Sequence, residues 1–525
     1  MKKLLFIPLL LIAGMLTAQK DDAAKYASTI TEAGLQQHLN IIASAEMEGR
    51  ETGTEGQRKA AAYIEGQFQA LGLTASATLN GYQQYYPLYG KRLLESKVSI
   101  GNNELTFGQE YIIPFQENEG ISIKANEFIF AGYGIEDEKY SDYKNIQVAG
   151  KVIVIFLGEP KNAEGNYIVS GSNKPSEWTY PGLSNKLELA ARKGVKAVLL
   201  INPNMDKPSS RMIANSKETN PQYPEKPSIN QAKYILITHE YAAQLIPGFG
   251  HLLKMAKMKN EFTDTEAWTK KIKFKLKYKK YTEKITASNV LGLIEGTDKK
   301  DEYVFITAHY DHLGMHDGKI YYGADDDGSG TCAVIEMATA FAKAKADGKG
   351  PRRTIVFMTV SGEEKRLWGS EYYTDNPVFP LHKTSVDLNI DMIGRIDTER
   401  KKDDTLNYVY VVGHDKISSE MPLINEAVNS KYTGLVLDYK FDDPNDPEKI
   451  YFRSDHYNFA RKGVPVLFFY DGMLKADYHK PTDTVDKINW PLYEKRTRMI
   501  FHTAWEMANR NNMLIRDKPI PTMTR

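Results

Sequence analysis

Tyr303-Val304-Phe305-Ile306-Thr307-Ala308-His309-Tyr310-Asp311-His312 is the stretch on which the reading of the fold turns. Its first six residues form an apolar run of strand type, and His309 stands at the end of that run. The same arrangement recurs downstream. Strands are expected at 354–360, 386–390, 408–412 and 464–470, with helices after Ser329, after Gly369 and over 491–511. Strand, loop and helix in alternation predict an α/β unit: a mainly parallel or mixed central sheet flanked by helices, with ligands beyond the carboxyl ends of the strands.

Residues of metal-ligand type fall at those ends. Besides His309-Tyr310-Asp311-His312 they are Gly323-Ala324-Asp325-Asp326-Asp327-Gly328-Ser329-Gly330, Ser361-Gly362-Glu363-Glu364, Asn389-Ile390-Asp391-Met392 and Tyr478-His479-Lys480-Pro481-Thr482-Asp483-Thr484. Zinc accepts imidazole nitrogen and carboxylate oxygen, and a catalytic zinc keeps one position open for water. Asp311, two residues beyond His309, is placed to orient that imidazole. Three successive carboxylates at 325–327 repel one another unless a cation neutralises them. A calcium loop does not fit, because the register puts Gly323 and Val334 where the first and twelfth positions need oxygen ligands. Glu363 and Glu364 follow a strand, and neighbours on an extended chain point different ways. One can ligate while the other serves as the base that takes a proton from water.

In this order the segments resemble peptidase family M28, the zinc aminopeptidases, over about 29–120 and 285–511. The resemblance implies a zinc-exopeptidase fold of the phosphorylase/hydrolase-like kind and two zinc ions per chain. Asp326 would bridge them, with His309 and Asp391 completing one site and Glu364 and His479 the other. Glu363 would be the general base. Ser454-Asp455-His456 matches a family segment, which places Tyr451 either as a stabiliser of the tetrahedral intermediate or as a solvent-facing loop residue. A non-proline cis peptide is implied between Asp326 and Asp327. The chain departs from the pattern at Asp327-Gly328 and at Arg366-Leu367-Trp368; Trp368 would floor a substrate pocket or belong to the core. The activity implied is removal of amino-terminal residues from peptides with a free amino terminus. The alternatives are a carboxypeptidase or dipeptidase with a cation for the substrate carboxylate (Arg395, Arg453 or Lys480), a one-metal glutaminyl-cyclase-like transferase, and a non-catalytic binding protein.

The remaining features bound these readings. The chain has 525 residues, with 68 Lys and Arg against 67 Asp and Glu, so no global field argues for nucleic acid or an anionic membrane as partner. Met1-Lys2-Lys3, the apolar run to Leu16 and Thr17-Ala18 read as a secretory signal over 1–18, so the protein is expected to be exported, periplasmic or secreted, without stable membrane insertion. The single cysteine, Cys332, excludes an intrachain disulfide and reads as a small buried residue. Residues 19–120 are assigned to the amino-terminal part of the peptidase domain, 121–250 to a β-rich insert resembling the protease-associated domain, 251–284 to a linker, 285–515 to the catalytic domain and 516–525 to a tail. Within the linker, the strict alternation from Lys271 to Lys279 predicts an amphipathic strand with a lysine face. Glu48-Gly49-Arg50-Glu51-Thr52-Gly53-Thr54 reads as an ordinary connection between two helices.

Overall fold

The computed structural model describes residues 22–114, 120–179, 182–224, 230–262, 268–401, 404–443 and 445–521. The signal expected at 1–18 and the last residues of the tail lie outside them. Among the described residues no helix is long and apolar enough to cross a membrane. The chain divides into two compact units, Met1–Pro87 with Thr286–Arg525, and Leu88–Ile285.

The first unit is built on a mixed sheet. Its strands run, in spatial order, Val436–Asp438, Tyr408–Val412, Val466–Tyr470, Thr384–Ile390, Lys299–His309, Arg353–Val360 and the last residues of Thr269–Ile294. Lys299–His309 lies between two parallel neighbours, Arg353–Val360 and Thr384–Ile390, and the latter is also parallel to Val466–Tyr470. Alternate residues fall into two separate cores. Val304, Ile306, Ile355, Phe357, Leu388 and Phe469 face one. Phe305, Val356, Met358, Val360, Phe468 and Tyr470 face the other. Both faces are therefore covered, which is why these strands read as continuous apolar runs with no polar alternation. Helices Glu32–Ile42, Glu55–Ala70, Gly330–Ala346 and Trp490–Asn509 contribute to the first core, and Trp368–Asp375 and His456–Ala460 to the second. Asn489 caps the long last helix through Leu492 N–H, with Pro491 in its first turn. Cys332 is buried on helix Gly330–Ala346, where burial pushes its thiol well above the ordinary range.

The second unit has its own core and its own sheet order: the start of Thr269–Ile294, then Ile121–Phe130, Val152–Phe156, Ala197–Ile201, Tyr234–Ile237 and Tyr111–Ile112. It is wider than the 121–250 insert expected, taking in 88–120 and the lysine-rich strand assigned to a linker. The reason is packing. Phe274, Leu276 and Tyr278 pair across to Ile121–Phe130 and join the same core as Val98, Ile100 and Tyr111, while the intervening lysines are exposed.

Candidate metal centre

Three parallel strands end side by side and deliver the site. Val360 pairs with His309 in register, so Glu363 and Glu364 emerge beside that histidine, and Asp391 follows the last residue of Thr384–Ile390 on the other side. Ala324–Ser329 forms an irregular turn leading into helix Gly330–Ala346, and a cis peptide joins Asp326 to Asp327. His479 comes from the loop before the last helix and adopts left-handed backbone, as does Met392 beside Asp391.

These loops bring five of the residues named from the sequence within reach of one another. His309 Nε2 lies 3.3 Å from Asp326 Oδ1 and 3.5 Å from Asp391 Oδ1. His479 Nε2 lies 3.2 Å from Asp326 Oδ2 and 3.0 Å from Glu364 Oε2. Asp326 thus faces one nest with each oxygen. Glu363 diverges from Glu364 and lines the open cavity with Asp326 and Asp391, its Oε2 4.0 Å from His309 Nε2.

The three adjacent aspartates have different surroundings. Asp327 accepts backbone N–H groups from His309, Gly330 and Met392, which occupies both its oxygens and makes it an anchor for the strand ends. Asp325 accepts from Ser329 Oγ and Gly394 N. Asp326 has its own N–H and that of Asp325 held by Asp483, leaving its carboxylate to the histidines. Asp311 takes part less directly than expected. His309 Nδ1 lies 3.1 Å from its backbone carbonyl and 3.7 Å from its carboxylate. That carboxylate accepts from Thr52 Oγ1 and Glu363 N–H, so it holds Glu363 as well as the end of the His309 strand.

Two contributors were not singled out from the sequence. His312 Nδ1 stands 2.8 Å from Glu364 Oε1 and 3.8 Å from Asp326 Oδ2. Its place within His309-Tyr310-Asp311-His312 was the available signal. Arg50, in the loop read as a plain connection, is fully buried and donates to the carbonyls of Tyr310, Ile42, Tyr322 and Gly323 at 2.7–2.9 Å. It ties the His309 loop to the start of the Asp-rich loop. Only its neighbour Thr52, bonded to Asp311, reaches the site itself.

Tyr451 does not line the cavity at the metal cluster. It turns into a different cavity, next to Gly413, because its short helix Ile450–Phe452 directs successive side chains apart; Ile450 and Arg453 line the catalytic side instead. Among the described residues the tyrosines lining that cavity are Tyr470 and Tyr478, the latter stacked on His479 with centroids 3.8 Å apart. Trp368 is buried at a helix start, packed against Gly362.

The electrostatics of the cluster favour a cation. Burial works to raise Asp326, but the imidazoles of His309 and His479 beside it hold it well below the usual carboxylate range. Burial opposes charge on His479, yet Asp326 and Glu364 raise it to about 10. Glu363 is pushed well above the ordinary range by burial, with His309 pulling it down and Asp391 and Glu364 pushing it up. His309 Nε2, both ring nitrogens of His312, His479 Nε2, Asp326 Oδ2 and Glu364 Oε1 are buried without a hydrogen-bond partner among the described residues. Buried polar atoms left unpaired are costly, and this set converges on common points with the nitrogen and oxygen donors that zinc takes. The donor set fits zinc.

A family model, peptidase family M28, matches residues 289–504. A probable leucine aminopeptidase of Arthroderma otae is 28% identical over 241 residues, 45% of this chain and 62% of that protein. Aminopeptidase YwaD of Bacillus subtilis is 33% identical over 133 residues, 25% of this chain and 27% of that one. The chain thus spans less than two thirds of these curated relatives. Among solved structures, an aminopeptidase from Aneurinibacillus sp. strain AM-1 superposes with a TM-score of 0.50 at 19% identity, covering 96% of this chain and all of that one, a likeness of fold.

Proposed function

We propose, from the match of residues 289–504 to peptidase family M28, that the chain is an exported, dinuclear zinc aminopeptidase acting on peptides with a free amino terminus. The observation that carries the reading is the convergence of His309, Asp326, Glu364, Asp391 and His479, with His309 Nε2, Asp326 Oδ2, Glu364 Oε1 and His479 Nε2 unpaired among the described residues, beside a separately directed Glu363. His309, Asp326 and Asp391 would hold one zinc and Asp326, Glu364 and His479 the other; bound zinc supplies Lewis acidity toward a carbonyl and lowers the pKa of water.

The chain's own groups do the rest. Glu363 takes a proton from the attacking water at its carboxylate and passes it to the leaving amine. Burial raises its affinity for that proton, which suits a base that must also act as an acid. The Asp311 carboxylate, fixed by Thr52, receives the Glu363 backbone N–H and so positions the base. Met392, Ile450, Phe468 and Leu474 give the cavity apolar walls against which an amino-terminal side chain can pack.

Arg453 also lines the cavity, and among the described residues its guanidinium is tied only to Tyr478 Oη at 3.3 Å and to Glu448 at 3.4 Å or more. This keeps a carboxypeptidase as the second reading. Arg395 suits that role less, being paired with Asp477 at 2.8 Å. Export rests on the amino-terminal pattern, and the second unit is proposed as a protease-associated module.

The test is zinc content of the purified mature protein together with hydrolysis of amino-acid p-nitroanilides and of free and amino-blocked peptides, before and after chelation. Two zinc ions per chain with chelator-sensitive release from free-amine substrates is expected. Hydrolysis of amino-blocked peptides instead would transfer the assignment to a carboxypeptidase, and a zinc-loaded protein inert on every substrate would reject both.

A further inference from the structure

A cavity of about 670 Å³ opens beside the turn at Gly413, away from the metal ligands, and its size is that of an organic ligand site. Its walls are the turn His414-Asp415-Lys416, residues Tyr439, Asp442, Asp443, Asp446, Lys449, Tyr451 and Phe452, and Lys518, Pro519 and Pro521 of the tail. His414, Asp415 and Asp442 approach one another closely enough to suggest a metal site. A cation already stands there. Lys416 Nζ lies 3.1 Å from Asp442 Oδ2 and is bonded to Asp415, while His414 Nδ1 is 2.6 Å from the same Asp442 oxygen. A divalent ion would have to displace an ammonium group, so the place is filled by the protein itself.

What the cavity offers is different. Tyr451 lines it and is 6% exposed, yet its hydroxyl has no hydrogen-bond partner among the described residues. A buried hydroxyl without a partner calls for a ligand atom to pair with. Lys449 stands two residues away on the same wall, so donors suited to a carboxylate come from one segment. Asp443 lines the cavity with an exposed carboxylate, and His414, having turned Nδ1 to Asp442, has an Nε2 that no described residue pairs with. Those are acceptors for an ammonium group. Tyr439, Phe452, Pro519 and Pro521 supply apolar surface between the two signs of charge. The wall is also shared. Within one short stretch Tyr451 and Phe452 face this cavity, Ile450 and Arg453 face the catalytic one, and Asp446 on this side accepts the backbone N–H of Ile450 at 2.9 Å.

We infer that this cavity is a second, non-catalytic site for short zwitterionic peptides, and that its occupancy is transmitted to the catalytic cavity through Ile450–Arg453. The choice of peptides over other zwitterions rests on the aminopeptidase reading. Filling the site moves a wall that the substrate side chain touches, so the effect is on turnover of a small substrate as well as on binding.

The experiment has two arms on the full mature chain. In the first, tri-L-alanine is titrated calorimetrically into metal-stripped protein, which removes hydrolysis. One saturable site is expected, weakened about tenfold or more in Asp443→Asn/Lys449→Gln and in Tyr451→Phe, and absent for N-acetyl-trialanine amide, which carries neither charge. The doubly substituted chain changes exposed side chains only, and an unchanged melting temperature verifies its fold. No binding to the wild type, or equal binding to both variants, overturns the proposal. In the second arm tri-L-alanine is added to zinc-loaded enzyme hydrolysing leucine p-nitroanilide. A change in kcat in the wild type that disappears in Asp443→Asn/Lys449→Gln is expected. A pure rise in KM shared by both proteins means competition at the catalytic cavity and overturns the coupling. Absence of nitroanilide hydrolysis from the wild type without peptide rejects the catalytic reading instead, while the first arm still reports on the site.

Discussion

Arg50 shows how much a single side chain outside the metal cluster can decide. Its wholly buried guanidinium serves backbone carbonyls on three segments, with the charges of Asp311, Asp326 and Asp327 nearby offsetting part of the desolvation that lowers its pKa. Arg50→Met keeps the volume and strands those carbonyls. It is expected to destabilise the chain by about 3–5 kcal/mol, read from denaturant midpoints, because removing one member of a buried polar network leaves the others unsatisfied. A loss under about 1 kcal/mol would show that the carbonyls find other donors. Glu363 is the opposite case, a residue whose removal leaves the framework intact. Glu363→Gln is expected to lower kcat about 10²–10⁴-fold with zinc content unchanged, since only the proton acceptor is lost. Undiminished turnover would remove Glu363 from the role of base.

At the level of elements, the site exists because parallel strands finish together. The register of Val360 with His309 and of Asn389 with Thr307 fixes where Glu363, Glu364 and Asp391 emerge, and no single loop could hold all of them. The lysine-rich start of Thr269–Ile294 illustrates a different use of strand periodicity. Its apolar residues join the core of the second unit and Lys271, Lys273, Lys275, Lys277 and Lys279 are exposed, giving a strand already paired on both sides a charged face that discourages apolar association between copies. Replacing Lys273, Lys275 and Lys277 together by Val leaves the buried face untouched. The variant is expected to fold with an unchanged circular dichroism spectrum yet associate, seen by light scattering during concentration. A variant that stays as monodisperse as the wild type would show that the lysines have no such role.

For the molecule as a whole, acid stability follows from histidines buried in neutral form. His502 stacks on Tyr432 at 3.8 Å, and burial, then Lys431 and Arg498, lower its pKa from 6.5 to about 4. The unfolded chain binds this proton first. Stability is therefore intact above pH 6.5 and declines as pH falls toward 4, by up to about 3 kcal/mol from this group. In chelator-treated protein, the melting temperature of His502→Phe should fall less than that of the wild type between pH 6.5 and 4; parallel curves would refute the assignment. Much of this architecture was legible in the chain. The apolar runs before His309, Ser361 and Asp391 announced strands buried on both faces, and the strand expected at 303–308 lies inside Lys299–His309. Ligand types at the strand ends could be named because a strand's carboxyl end is a fixed place in an α/β sheet. Loop direction is not encoded by any period. The sequence therefore left His312 among the residues of its own motif, read the Arg50 loop as a connection, and left Tyr451 open between a place beside the substrate and a solvent-facing loop, whereas Tyr451 lines a separate cavity and Tyr470 and Tyr478 line the one at the metal cluster. By itself the sequence determined the order of elements and the chemistry carried at their ends, through hydrophobic periodicity and donor type. Only the tertiary structure decided which cavity each loop side chain enters, because that depends on contacts between segments far apart in the chain.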